Sequence, residues 1–316
     1  MRLLVTRRMT AAAEEAISRA FEATFRDDTT PLPEAEAAAA LRDNDAIIPT
    51  LGDAFNAAVL ATPDRRARML ANFGAGFNHI DVEAAKAAGL VVTNTPDVVT
   101  DATADIALTL ILMTARRAGE GERLVRAGRW TGWHPTQLLG MHVTGRTLGI
   151  VGMGRIGQAI ARRAHYGFDM PVVFHNRSAV TGLDLPARQV PLDDLLAQAD
   201  IVVTAVPGSA ATRHLIGAAE LAAMKPGAIL VNIARGDVVD EAALIAALDS
   251  GAIAGAGLDV YEREPLVPQA LRARENVVLL PHLGTAAEQV RTDMALRALA
   301  NLTAFFRGDP PPDRVA

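Results

Sequence analysis

The 316 residues, half of them hydrophobic and only 21% charged, suffice for about two domains of roughly 150 residues each and exclude global disorder. A net charge of -5 lacks the basic excess that nucleic-acid binding requires, and the absence of cysteine excludes disulfides, thiolate metal sites and a Cys nucleophile. The opening MRLLVTRRMT has too short an apolar run for a signal peptide, and no stretch approaches the ~20 apolar residues of a membrane helix, so a cytoplasmic protein is expected, binding neither membrane nor nucleic acid.

Short β-rich runs alternate with alanine-rich helical ones. Arg2–Thr6 reads as a strand, Ala11 to about Thr24 as a helix, Asp45–Pro49 and Met69–Phe73 as strands, Val82–Ala88 as a short helix and Leu90–Thr93 as a strand. One long helical pattern runs from about Thr100 to Ala127, opened by Thr100 and Asp101 as caps and carrying Ile106, Leu108, Leu110, Ile111 and Met113. Gly128–Gly145 is irregular and holds both tryptophans. A second series starts at Thr147, with strands near 147–151, 171–175, 200–205, 228–232, 254–259 and 276–280 and helices starting near Arg155, Leu192, Gly217 and Glu241. A final amphipathic helix spans roughly Ala286–Phe306, before a tail at Pro310–Pro312. Such alternation predicts an α/β protein of two doubly wound parallel-sheet domains.

The most informative local stretch is Leu148–Gly157, where Gly152, Gly154 and Gly157 form G-x-G-x-x-G after an apolar strand and before a helix that opens at Arg155 and Ile156. In that context the first glycine permits the tight turn, the second lets a pyrophosphate approach the backbone, and the third packs helix on strand. The helix N-terminus offers free N–H groups and partial positive charge to the phosphates. NAD-binding folds place Asp or Glu at the end of the following strand to hold the ribose 2′-hydroxyl. Here that strand ends in Asn176-Arg177-Ser178, with no carboxylate. Arg177 suits a 2′-phosphate through charge-assisted hydrogen bonds, with Asn176 and Ser178 as neutral donors, so NADP is expected, and a solvated Arg177 with NAD bound is the alternative.

Three further segments follow predicted strands: Val231–Asp237, Leu258–Pro265 and Leu280–Thr285. Carboxyl ends of parallel strands line the ligand crevice of such sheets, so Arg235, Glu264 and His282 are expected to converge. These residue types suit 2-oxo acid reduction. A carbonyl that accepts hydride develops negative charge on oxygen, and a protonated His282 supplies the proton. Glu264 bonds the other ring nitrogen and fixes the tautomer, while Arg235 clamps the substrate carboxylate and polarises the carbonyl. His134, His142, His165, His175 and His214 show no metal-ligand grouping, and no metal is expected.

Over nearly its whole length the chain resembles the D-isomer-specific 2-hydroxyacid dehydrogenases, on GMGRIGQAIA (152–161), NIARGDVVDEAAL (232–244), GAGLDVYEREP (255–265) and PHLGTA (281–286). Phe73–Asp81, Thr95–Asp105, Trp130–Trp133 and the Asn-Arg-Ser strand end are similar to the glyoxylate/hydroxypyruvate reductase branch. The resemblance implies a flavodoxin-like substrate domain from residues 1–98 and 286–316, a Rossmann cofactor domain from 99–285, and a homodimer. It places Ala75 and Gly76 in the loop whose N–H groups hold the substrate carboxylate, with Leu51, Gly52 and Trp133 near the substrate side chain and Trp133 lent by the partner subunit. It gives Asp259 to the nicotinamide carboxamide and Thr103, Val206, Pro207 and Ile233 to the cofactor. The loop Ala205–Ser209 departs from the family in lacking Leu-Thr after its proline, and Gly208 is expected to loosen its contact to the cofactor. The alternatives are an NAD-dependent phosphoglycerate or formate dehydrogenase-like member, a non-catalytic nucleotide sensor on the same fold, and a promiscuous reductase whose true substrate bears a larger side chain.

Overall fold

Strands whose every residue is buried belong to sheets covered on both faces, and the chain supplies six such strands, Leu-Gly-Ile-Val and Ile-Val-Val-Thr among them. The computed structural model describes residues 1–316 and divides into two units, Met1–Val99 with Thr285–Ala316, and Thr100–Gly284. In chain order the first unit supplies β1 (Arg2–Val5), α1 (Ala11–Ala20), β2 (Glu22–Phe25), α2 (Glu34–Asp43), β3 (Ala46–Ile48), α3 (Ala57–Leu60), β4 (Met69–Ala71), α4 (Val82–Ala87) and β5 (Val91–Thr93). The second supplies α5 (Thr100–Ala115), α6 (Ala118–Arg126), β6 (Leu148–Val151), α7 (Arg155–Phe168), β7 (Val172–His175), β8 (Ala187–Gln189), α8 (Leu192–Gln198), β9 (Ile201–Thr204), α9 (Ala218–Ala223), β10 (Ile229–Asn232), α10 (Glu241–Ser250), β11 (Gly255–Leu258), α11 (Gln269–Arg272) and β12 (Val277–Leu279). The chain then returns to the first unit with α12 (Glu288–Arg307).

Both sheets are wholly parallel. The first runs β2-β1-β3-β4-β5, the flavodoxin order, and the second β12-β11-β10-β9-β6-β7-β8, the Rossmann order with one strand added. The first unit's core brings Ala13 and Ile17 of α1 together with Ala295, Ala298 and Leu302 of α12 over β1, β3 and β4. In the second, α5 and α7 cover one face through Ala104, Ala107, Leu110, Ile111, Ile160 and Ala164. The other face is covered by α8, α9 and α10 through Leu195, Leu221, Leu244 and Leu248. No helix is long and apolar enough to cross a membrane.

Two expected helices change. The single pattern from Thr100 to Ala127 is two helices, α5 and α6, broken where Arg117 turns to φ +52°. The break has a cause in the irregular segment. Met141 N–H donates to the Ala115 carbonyl at 2.7 Å, and a Cβ on Gly140 would stand 2.3 Å from that oxygen, so the segment docks where the next turn of α5 would have run. The helix expected to reach Thr24 stops at Ala20. Phe21 is extended and closes the last turn on Ile17, and Glu22 N–H donates to Met1 O at 3.1 Å, which starts β2 beside β1.

Candidate active site

The glycine-rich loop joins β6 to α7 and has the form a dinucleotide requires. Gly152 sits at φ +103°, and a Cβ there would meet the Ala205 carbonyl at 2.8 Å and Val206 Cγ1 at 2.9 Å. Gly157 lies so close under the turn that its Cβ would stand 2.2 Å from Gly152 O. Around the Cβ position of Gly154, by contrast, nothing lies within 4 Å, so the middle glycine leaves its backbone open at the start of α7. Two closed glycines and one open one fit a pyrophosphate approached by backbone alone. Arg155 and Ile156 follow in the first turn of that helix.

Beyond β7, Asn176 is anchored within the chain. Its Oδ1 accepts from Met153 N–H at 3.3 Å and its Nδ2 donates to Ser178 O at 3.0 Å, so it ties the glycine loop to the Arg177 turn. Gln189 of the edge strand β8 braces the same turn, donating to Asn176 O and Ser178 O at 3.1 and 3.0 Å. Arg177 itself is exposed and forms no ion pair.

The three strand-end segments do converge. His282 Nδ1 and Glu264 Oε2 are 2.8 Å apart, and the other oxygen of Glu264 accepts from Tyr261 N–H at 3.1 Å. Burial pushes the Glu264 carboxyl up, but the His282 hydrogen bond and charge, Tyr261 N–H and the Arg235 charge outweigh it and hold it below its ordinary value. Arg235 follows β10, half-buried, and burial lowers its own pKa against the charges of Glu264 and Asp237. A guanidinium starts so high that it stays charged.

The backbone that presents His282 is held from below. His282 has φ +55°, and its N–H donates to Asp259 O at 2.9 Å. The next two N–H groups, of Leu283 and Gly284, each take one oxygen of the buried Asp259 carboxylate at 2.7 and 2.8 Å. Burial raises the Asp259 pKa in spite of those bonds. Thr103 Oγ1 donates to Gly284 O at 3.2 Å from α5, so Thr103 and Asp259 meet at this loop. Tyr261 joins the ends of β11 and β12 by donating to Leu280 O at 2.8 Å, and burial drives its pKa up, which keeps the phenol a donor.

Two glycines bring Arg235 to this place. A Cβ on Gly236 would lie 1.8 Å from the Tyr261 carbonyl carbon, so only glycine lets the Arg235 loop lie against the Glu264 loop. A Cβ on Gly208 would lie 2.7 Å from Arg235 Cγ. Gly208 was expected to loosen a cofactor contact; its place beside Val206 and Pro207 gives it a second use, making room for the arginine stem. Ile233, which the resemblance gave to the cofactor, is buried directly after β10. Sequence reasoning missed Tyr261 and Gly236, although both stand inside motifs already singled out.

The substrate residues expected in the first unit lie on loops after its strands. Leu51 is exposed and Gly52 turns at φ +89° after β3, with Arg7 donating to Leu51 O at 3.1 Å. Ala75 and Gly76 lie in the loop after β4. There Asn72 Nδ2 donates to Gly74 O and Gly76 O at 2.9 and 3.0 Å, and Asn94 Nδ2 donates to Ala75 O at 2.8 Å. In the second unit Trp133 is 79% exposed on the irregular segment, so within one chain it packs against little.

Residues 108–284 match the NAD-binding domain of the D-isomer specific 2-hydroxyacid dehydrogenases. The chain belongs to that family. It is similar to a glyoxylate reductase of Thermococcus onnurineus, 44% identical over 99% of this chain and 95% of the relative, and to one of Pyrococcus horikoshii, 43% identical over 99% and 95%. Among solved structures, a Thermus thermophilus protein superposes with a TM-score of 0.93 at 42% identity over the whole of both chains. An NADPH-dependent glyoxylate/hydroxypyruvate reductase of Sinorhizobium meliloti, in complex with NADP and malonate, does so with a TM-score of 0.88 at 38% identity, over 100% of this chain and 96% of that one. The dehydrogenase is therefore an NAD(P)-dependent enzyme of two parallel-sheet domains, as its motifs implied. His, Cys, Asp and Glu form no cluster that could hold a metal.

Proposed function

We propose that the dehydrogenase reduces glyoxylate and hydroxypyruvate to glycolate and D-glycerate with NADPH, as a cytoplasmic homodimer. The observation that carries this reading is the Glu264–His282 pair at 2.8 Å beside a half-buried Arg235, at the carboxyl ends of strands in the same sheet as the glycine loop. The names and ligands of the relatives point the same way: glyoxylate reductases by sequence, and an NADPH-dependent enzyme by structure.

When bound, the reduced nicotinamide supplies a hydride to the carbonyl carbon of the 2-oxo acid. The protein's part is to meet the charge that arrives on the carbonyl oxygen. Nδ1 of His282 is engaged by Glu264, so Nε2 is the nitrogen left to face substrate, and the charged ring delivers its proton from there. Glu264, held ionised, stabilises that charged ring before the transfer and orients it throughout. Arg235 pairs with the substrate carboxylate and polarises the carbonyl. The second unit acts as the cofactor domain, with Gly152, Gly154, Arg155, Ile156 and Gly157 at the pyrophosphate. Val206, Pro207, Ile233, Thr103 and Asp259 stand toward the nicotinamide half. Arg177, with Asn176 and Ser178 shaping its turn, meets the ribose 2′-phosphate. The first unit acts as the substrate domain, with Ala75 and Gly76 at the carboxylate and Leu51 and Gly52 at the side chain, and the partner subunit contributes Trp133.

The test is steady-state oxidation of NADPH, and separately of NADH, across a panel of 2-oxo acids. Turnover of glyoxylate and hydroxypyruvate with a preference for NADPH is expected. No turnover of any member would favour a nucleotide sensor, and a preference for NADH would remove the cofactor assignment.

A further inference from the structure

We propose that Asn72 and Asn94 are positioning residues that create the carboxylate site of the first unit. They hold three consecutive carbonyls of the 74–77 loop, so that the three N–H groups on the opposite sides of those peptides, of Ala75, Gly76 and Phe77, are left to bind the substrate's carboxylate. The inference rests on the reading of the enzyme as a 2-oxo acid reductase and deepens it.

The two asparagines are brought together by strand register. β4 and β5 pair as Ala71 with Thr93, so the residue after each strand, Asn72 and Asn94, stands at the same level of the sheet's carboxyl edge. Asn72 N–H continues the ladder to Thr93 O at 2.9 Å, and Thr95 N–H reaches Gly74 O at 3.0 Å. From this platform the side chains reach over the loop. Asn72 holds the carbonyls of Gly74 and Gly76, and Asn94 holds that of Ala75 between them. In a trans peptide the C=O and the following N–H point in opposite directions. Fixing the carbonyls of 74, 75 and 76 therefore fixes the N–H groups of 75, 76 and 77, each aimed away from the asparagine that holds its own peptide. None of those three N–H groups has an acceptor within the chain, although the loop is half-buried. Peptide N–H groups in such a place ordinarily find a partner, and successive ones turned outward form an anion-binding concavity.

The chemistry of the clamp suits this use. Carbonyl oxygens must be met by donors, and asparagine donates without placing a charge beside the incoming anion. Asn72 is fully buried and its own Oδ1 has no partner, so the side chain serves wholly as a donor. Gly74 keeps the space clear, since a Cβ there would stand 3.2 Å from Gly76 O and 3.4 Å from Asn72 Nδ2. Two N–H groups, of Ala75 and Gly76, are what the family resemblance assigns; the peptide geometry adds Phe77 and explains why all three face out.

Two substitutions at the less buried asparagine test this. Asn94→Ala removes the donor, and Asn94→Asp removes it while keeping the volume, so lost donation separates from a packing defect. Kinetics with glyoxylate and NADPH are compared with calorimetric binding of oxalate, a carboxylate probe whose readout does not depend on turnover. Both variants are expected to lose about tenfold in kcat/KM through KM, the effect of one positioning hydrogen bond. Oxalate affinity should fall in parallel, Asn94→Asp more than Asn94→Ala, with KM for NADPH and melting temperature unchanged. Unchanged oxalate binding in both variants would overturn the inference, as would a loss carried by kcat and NADPH alike with a lowered melting temperature. A wild-type enzyme that binds oxalate through Asn94 and yet reduces no 2-oxo acid would refute the functional reading alone.

Discussion

Glu264→Gln replaces one oxygen of the pair that orients His282 by an amide nitrogen of nearly the same size, and so isolates charge from shape. In the wild type one carboxylate oxygen meets His282 Nδ1 at 2.8 Å and the other accepts from Tyr261 N–H at 3.1 Å. The glutamine cannot serve both partners when the ring is charged. With its oxygen on Tyr261, its NH2 group faces the Nδ1–H of imidazolium; with its oxygen on His282, the NH2 group faces Tyr261 N–H. Either arrangement sets two donors against each other. The charge of Arg235, which now helps to hold Glu264 ionised, would lose its counter-charge and add to the cost of a charged ring. Replacing a charge-assisted hydrogen bond by a neutral one forfeits about 1.4 kcal/mol.

The sign follows from which form is needed. Reduction consumes the charged ring, and the variant disfavours that ring. The alkaline limb of the pH profile for glyoxylate reduction should therefore move to lower pH, with the smallest loss of rate on the acid side. The complementary change reads the same coupling from the other partner. In His282→Ala, burial acts on Glu264 without the hydrogen bond and charge of the ring, which now help Tyr261 N–H and Arg235 to outweigh it, so the carboxyl should titrate higher, measurable by carboxyl-carbon NMR. An alkaline limb that stays in place in Glu264→Gln would refute the assignment of the His282–Glu264 pair as the proton donor.

Three further substitutions test the remaining assignments. Arg177→Ala, at an exposed cation without an ion pair, should erode NADPH use while sparing NADH, by about 1.5–3 kcal/mol in relative kcat/KM; an unaltered ratio of the two cofactors would remove Arg177 from the 2′-phosphate. Gly208→Ala inserts a methyl 2.7 Å from Arg235 Cγ and should displace the guanidinium, lowering kcat/KM for 2-oxo acids by about 10²-fold at a nearly unchanged melting temperature; wild-type kinetics would show that the arginine stem has room to yield. Trp133→Ala should raise KM for the 2-oxo acid with KM for NADPH unchanged and the dimer intact by gel filtration, whereas dimer loss with an unchanged KM would assign the tryptophan to interface packing.

What the sequence made legible follows from how each feature is encoded. The buried strands β6, β9, β10 and β11 are apolar but for a terminal Thr204 and Asn232 and are punctuated by helices, so their pattern alone announced a parallel sheet. The strands that escaped notice, β2 and β8, are edge strands of mixed burial, Glu-Ala-Thr-Phe and Ala-Arg-Gln, and they lack the apolar run that marks a central strand. The break between α5 and α6 was invisible for a different reason. Its cause, Gly140 pressed on the Ala115 carbonyl, lies more than twenty residues downstream, and no local propensity records it.

The candidate site divides in the same way. Arg235, Glu264 and His282 could be picked out because their side chains carry rare chemistry at strand ends. The groups that aim them act through the backbone instead. Asp259 takes two consecutive N–H groups and so sets the turn at His282, Tyr261 links two carbonyl-bearing strand ends, and Gly236 acts only by having no Cβ. Asn72 and Asn94 belong with them, since each is seen in sequence as a neutral residue after a strand, and only the strand register reveals that they share one loop. A sheet of parallel strands places every such residue at one edge, so the fold turns separations of tens of residues in sequence into hydrogen-bond distances. The chemistry of this dehydrogenase is written in three side chains. Its geometry depends on carbonyls and N–H groups that no residue type names.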